Sequence, residues 1–254
     1  MRADRDTDRE ATPAAACSGL PAAVRWPVFA LPLALCGGLV LLKVFDVDRY
    51  AWLVREDGPV ENLQVLLLFA AAVVAVAAAR RFAGAGLRLL AALWVVLAAG
   101  LFVVAMEEIS WGQRLLGIET PESIAAINVQ GELTLHNLEP LFIYLHTAYL
   151  VVGGYGMLAW LALPLLRPDP KAAWSFVVPN WYLASWFLVV FVVYGAIELA
   201  QWVRPTLFGH PLVIGGFVRF RDQEPAELVL SGAFLVFAID QLIRARRLPG
   251  APAR

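Results

Sequence analysis

Two carboxylates stand side by side in the string Met106-Glu107-Glu108-Ile109-Ser110-Trp111-Gly112-Gln113-Arg114, which closes a long apolar run. An acid pair there opposes the negative end of a helix dipole, so it needs a cation, a metal or a shared proton. At helical spacing Glu107, Trp111 and Arg114 share one face, and Glu108 lies ~100° round from it. Either acid is a candidate general base for activating water, with Arg114 as the compensating charge. The competing reading is two solvated acids at a helix end, with Trp111 anchoring that end at a membrane interface.

The chain has three histidines, His136, His146 and His210. His136 and His146 are candidate ligands for a divalent metal such as zinc, or acid–base partners of the two glutamates. Their spacings match no tight zinc motif such as H-E-x-x-H. Glu198 shares a helical face with Tyr194 and Gln201 inside another apolar run, where an acid must be protonated, paired or wet. Asn128, Glu132 and Asn137 add hydrogen-bonding groups for a substrate or a proton relay.

Two further strings are alike. Arg55-Glu56-Asp57-Gly58-Pro59-Val60-Glu61 and Arg221-Asp222-Gln223-Glu224-Pro225-Ala226-Glu227 both read Arg, acid, two residues, Pro, one residue, Glu. Proline in the first helical turn with glutamate just after it is capping chemistry. The matched arginine and extra acid go beyond capping, toward a buried Arg–carboxylate pair or a weak internal repeat. Glu61 and Glu227 thereby join the relay candidates.

The elements that hold these residues follow from composition. The chain has 254 residues, 60% of them hydrophobic and only 16% charged, with a mean hydropathy of +0.69. A soluble domain is typically ~45–50% apolar and ~25% charged. That excess fits a chain whose surroundings are lipid. A net charge of −1 gives no electrostatic footprint for a nucleic-acid partner. Cys17 and Cys36 form no ligand cluster. Among the basic residues only Lys43 and Lys171 are lysine, a bias suggesting a GC-rich bacterial source.

Six apolar runs approach the ~20 residues that a spanning helix needs. They cover Pro27–Phe45, Asn62–Ala79, Leu87–Met106, Pro140–Leu166, Val178–Val203 and Glu227–Ile243. The expected fold is therefore an all-α, polytopic bundle of six transmembrane helices. Residues 1–24 read as a disordered cytoplasmic tail, 25–247 as the transmembrane domain with a long outer loop at 107–139, and 248–254 as a short cytoplasmic tail.

Orientation follows from the arginines. Arg2, Arg5, Arg9, Arg25, Arg80, Arg81, Arg88, Arg167, Lys171, Arg244, Arg246, Arg247 and Arg254 all fall on one side by helix parity, and the remaining seven basic residues on the other. The positive-inside rule places both termini in the cytoplasm. Fifteen of the 21 acids fall at the opposite, outer end, where the connections are long and carry nearly every unusual residue.

The strings EEISWGQR, ETPE, NVQGELTLHN and REDGPVE resemble an uncharacterised family of bacterial multi-spanning membrane proteins, over roughly Arg55 to Glu227. A partial resemblance links the chain to the CPBP intramembrane proteases. Phe142 and His146 keep that group's Phe-x3-His spacing, but Arg114 stands two residues too far from Glu107-Glu108, and His210 is followed four residues later by Ile214. No protease function is carried over.

The expected location is a bacterial inner membrane with the functional face outward. The leading expectation is a hydrolase or transferase working on a lipid or lipid-linked substrate at the outer leaflet. Glu107, Glu108, His146 and Arg114 would be its catalytic groups. Two alternatives stand beside it: an ion-coupled transporter using Glu198 and the Glu107–Glu108 pair, and a non-catalytic membrane component that binds a partner through its outer loops.

Overall fold

The computed structural model describes residues 19–128, 131–135, 138–162, 173–200 and 221–248. Among these the chain has no strand, only an isolated antiparallel bridge between Asn128 and Leu138. Its helices are α1 (Ala22–Phe45), α2 (Val47–Val54), α3 (Pro59–Gly84), α4 (Arg88–Glu108), the single turns α5 (Gln113–Leu116) and α6 (Glu122–Ala125), α7 (Glu139–Leu158), α8 (Ala184–Glu198) and α9 (Glu224–Ala245). The protein is an all-α polytopic bundle.

Five stretches are long and apolar enough to cross a membrane: Ala22–Phe45, Val47–Gly84, Arg88–Glu108, Trp174–Glu198 and Glu224–Ala245. α7, 20 residues long, occupies the fourth expected run but ends at Leu158, short of Leu166. Phe45, Leu89 and Val96 are 82%, 77% and 68% exposed. Apolar side chains standing outward along long helices suit lipid and not water.

Hydrocarbon contributes nothing to helix association through water release, so helices must fit closely or bond one another. Both devices are present. Ala71, Ala72, Ala75, Ala78 and Ala79 form a buried seam on α3, which packs against α4 and α9. Between α7 and α8 the close approach depends on glycine. A Cβ on Gly156 would stand 2.1 Å from the Phe187 ring, and one on Gly153 would stand 3.0 Å from the Phe191 amide nitrogen.

α1 is joined to α8 by bonds to two of its carbonyls, one of them released by proline. Pro32 has no N–H to give the carbonyl of Val28, four residues earlier. The Trp186 indole Nε1 donates to that oxygen at 2.8 Å, and Ser185 Oγ donates to the Phe29 carbonyl at 2.6 Å. The Trp186 bond thus satisfies a backbone group that lipid would leave unbonded, and the Ser185 bond adds a second tie between α8 and α1.

The arginine-rich end of the bundle is locked by Asp240, which is fully buried. Its carboxylate accepts hydrogen bonds from Tyr182 Oη at 2.6 Å, Asn180 Nδ2 at 2.8 Å, and the amides of Gly19 and Leu20 at 2.8 and 2.9 Å. Gly19 and Leu20, inside the tail expected over residues 1–24, are thus tied to the bundle. One turn on, Arg244 bonds the Ser175 carbonyl and hydroxyl and lies 4.4 Å from the Phe176 ring centroid.

The opposite end gathers the N-termini of α3, α7 and α9 and the C-termini of α4 and α8. Pro59 and Pro225 both lie in first helical turns, with Glu61 and Glu227 two residues further in, as the paired strings predict.

Candidate functional site

The end of α4 is built from strained backbone. Ser110 and Trp111 have φ of 47° and 54°, and Gly112 follows at 77°. Non-glycine residues hold the left-handed region only when their surroundings fix them. Here Trp111 Nε1 donates to Glu107 at 2.5 Å and Ser110 Oγ donates to Glu132 at 2.6 Å.

This turn sends Glu107 and Glu108 apart. The second carboxylate oxygen of Glu107 accepts the amide of Leu135 at 2.6 Å, across the loop between α4 and α7. Gln113 bonds the Leu133 amide at 2.7 Å and the Thr120 hydroxyl. Asn128 bonds Thr134 and the Glu132 amide. Glu107, Asn128 and Glu132, expected as catalytic or relay groups, are placed as cross-links of the loop. His136, Asn137, Gln201 and His210 lie outside the described residues, as does the Arg114 side chain.

Glu108, half-buried, stands near enough to Glu61, Glu224, Glu227 and Arg221 for their charges to act on its carboxylate. The group rests on the two similar strings. Glu61 is buried, and its Oε2 accepts the Asp57 amide at 3.1 Å, the capping role. The same oxygen lies 3.6 Å from Arg221 Nη1 of the other string. Arg221 Nη2 lies 3.0 Å from Glu224 Oε1. Capping and an inter-string ion pair therefore coexist in Glu61. Arg221 itself has a φ of 51°. Its neighbour Asp222 is clamped by Lys43 Nζ of α1 at 2.6 Å and Tyr50 Oη of α2 at 2.7 Å.

Gln64, one turn below Glu61, donates from Nε2 to Glu224 Oε2 at 3.1 Å and to the Glu224 carbonyl at 2.9 Å. Glu227 accepts a hydrogen bond from Tyr194 of α8. Tyr149 of α7 stacks on Tyr194 with ring centroids 4.1 Å apart and interacts with Glu227 as well.

His146 stands edge-on to Tyr194, with ring centroids 5.3 Å apart. Its Nδ1 bonds Glu198 Oε1. A carboxylate on Nδ1 fixes ring orientation and leaves Nε2 to take a proton. The groups thus run Glu61 and Glu224, Glu108 and Glu227, Tyr194 and Tyr149, His146 and Glu198, drawn from α3, α4, α7, α8 and α9.

Expected residues brought together are Glu108, Glu61, Glu227, His146 and Glu198. Sequence reasoning missed Glu224, Arg221, Gln64 and Tyr149 as site members. A glutamine one turn after Glu61 in an otherwise apolar helix was the available signal for Gln64. Among the described residues no three His, Cys, Asp or Glu side chains are arranged to hold a metal ion.

A groove of about 300 Å³ runs between α1, α8 and the first turn of α9, lined by residues that include Leu39, Val189, Val192 and Ala226 and ending at Lys43 and Asp222. Glu108, His146 and Glu198 do not line it. No protein-family model, curated protein or solved structure matches this chain.

Proposed function

We propose that the protein is a membrane-embedded hydrolase or transferase that acts by acid–base chemistry on a lipid or lipid-linked substrate. The observation that carries this reading is the His146–Glu198 pair set against Tyr194 and the Glu227 carboxyl. His146, oriented by Glu198, takes the proton of a water or hydroxyl nucleophile at Nε2. The nucleophile attacks the ester or phosphoester centre. Glu227 or Glu108 in its protonated form delivers a proton to the departing oxygen. Positioned acid–base groups of this kind contribute typically ~10²–10⁴-fold each.

The apolar groove between α1 and α8 would suit a lipid chain, with the Lys43–Asp222 ion pair at its lining, though it lies apart from the acid–base groups. The arginine bias supports both termini in the cytoplasm and the carboxylate end facing outward, in a bacterial inner membrane. Ion-coupled transport is the second reading, favoured by four carboxylates around one arginine at the end of a bundle.

The test is to reconstitute the purified protein into vesicles of bacterial polar lipids, follow the lipids by mass spectrometry and follow internal pH with an entrapped dye. Consumption of a lipid species, abolished in His146→Gln, supports the enzyme. Unchanged lipids together with protein-dependent proton flux overturn it in favour of transport.

A further inference from the structure

α1 is fastened to the bundle near both of its ends. Near its start, Trp186 and Ser185 of α8 bond its Val28 and Phe29 carbonyls. In its last turn, Lys43 Nζ bonds both carboxylate oxygens of Asp222 at 2.6 Å. The groove of about 300 Å³ lies between these ties.

Its walls decide what it can hold. Leu33, Val40, Leu188 and Val192 line it and are 45%, 42%, 38% and 55% exposed. Hydrocarbon around the spanning helices therefore reaches its mouth. A neighbouring helix is a poor occupant. Helices in lipid are ~10–12 Å across and approach one another through small residues. This groove is walled mainly by leucine and valine, and the alanine seam of α3 is already packed against α4 and α9. A flexible acyl chain needs no such seam and gains dispersion contacts along the whole wall.

The end of the groove is polar and neutral. Lys43 and Asp222 are paired, each side chain 12% exposed, and Tyr50 Oη donates to Asp222 at 2.7 Å. A neutral pair set directly beside an apolar wall matches the ester region of a phospholipid, where polar groups follow directly on hydrocarbon. The remaining wall is the first turn of α9, whose residues divide between two surroundings. Asp222, Pro225 and Ala226 line the groove, whereas Arg221, Glu224 and Glu227 belong to the carboxylate group. Whatever fills the groove packs against the back of the turn that carries those acids.

We propose that the groove binds one acyl chain of a membrane phospholipid, with its ester end at the Lys43–Asp222 pair, as a bound lipid that steadies the first turn of α9. The site is separate from the acid–base groups and its occupancy needs no lipid turnover, so either can fail without the other.

The experiment uses the full chain with Cys17→Ser, which leaves Cys36 in the groove wall as the single thiol. It is placed in nanodiscs of phosphatidylethanolamine with a trace of the same lipid bearing a diazirine midway along one acyl chain, and labelled peptides are located by mass spectrometry. Label should concentrate on residues 33–40 and 188–193. Val189→Trp, which fills the groove, should lower it by about tenfold or more, the loss expected when a chain forfeits burial of only two methylenes. His146→Gln should label as the wild type does. Adding phosphatidylethanolamine to delipidated protein in detergent should slow both maleimide labelling of Cys36 and amide exchange over residues 223–229 several-fold. Phosphatidylglycerol should protect Cys36 equally at low and high salt, because the pair at the groove's end is neutral. Should Val189→Trp fail to fold, protection of Cys36 by the intact phospholipid and not by chain-free glycerophosphoethanolamine decides. The proposal is overturned if label spreads evenly over the lipid-facing helices, if Val189→Trp labels as the wild type does, if added lipid leaves Cys36 reactivity or amide exchange unchanged, if only phosphatidylglycerol protects Cys36, or if Cys36 cross-links to its counterpart in a second copy, which would then cover the groove.

Discussion

Glu107 and Glu108 are neighbours in the chain with separate tasks: Glu107 accepts the Leu135 amide and the Trp111 indole, while Glu108 stands near the carboxylates of α3 and α9. The left-handed turn at Ser110–Gly112 and the ~100° step between successive helical residues make this division. Glu107→Gln should therefore act on the loop. It weakens two charge-assisted bonds, a loss of about 1–3 kcal/mol, and should speed protease cleavage within residues 113–135. Glu108→Gln should leave that cleavage rate unchanged.

Arg221 holds Glu61 and Glu224 at once. Arg221→Met leaves both acids buried without their cation. The expected cost is about 3 kcal/mol, at the low end for a buried pair because the Arg221 side chain is 32% exposed. Adding Glu224→Gln should recover part of it. Denaturation of the single and double variants in detergent measures the coupling, and a strictly additive double variant would rule the bridge out.

Trp186 is bonded to the carbonyl that Pro32 leaves open. Trp186→Phe keeps most of the ring's packing but orphans the Val28 oxygen, at about 1–3 kcal/mol. Restoring the helical donor with Pro32→Ala in the same chain should reverse the loss. If the double variant melts lower than Trp186→Phe alone, the freed-carbonyl account is wrong.

Gly156 lies under the Phe187 ring. Gly156→Ala should separate α7 from α8 and with them His146 from Tyr194, costing about 1–3 kcal/mol through overpacking. Phe187→Leu should suppress the defect. Cross-linking of cysteines placed at residues 150 and 195, where a Cβ on Gly195 meets Leu150 at an ordinary 3.8 Å, in a chain lacking Cys17 and Cys36, reports the separation: it should fall in Gly156→Ala and return in the double variant.

The bundle was legible because apolar run length and the ~30 Å thickness of hydrocarbon are both one-dimensional quantities. Helix parity likewise put Glu61, Glu108, Glu198, Glu227 and His146 at one end. Rotation about each helix was not legible. Glu107 and Glu108 differ by one residue, and the rotation of α4 in the bundle decides which of them meets the loop. Gln64 and Asp240 were passed over although each is a polar residue within an apolar helix. Asn128 and Glu132 had the right chemistry for a site, yet a loop this long spends such residues on its own backbone amides.

The central claim is that acid–base chemistry runs through His146 and Glu227, and rates of lipid conversion by reconstituted protein test it most directly. The account predicts that His146→Gln and Glu227→Gln each lower the rate by ~10²–10⁴-fold while folding normally. Glu107→Gln, whose carboxylate bonds Trp111 and the Leu135 amide, should stay within about tenfold of wild type once corrected for folded fraction, the allowance that 1.4 kcal/mol represents. Wild-type rates in His146→Gln and Glu227→Gln, or a loss confined to Glu107→Gln, would contradict it.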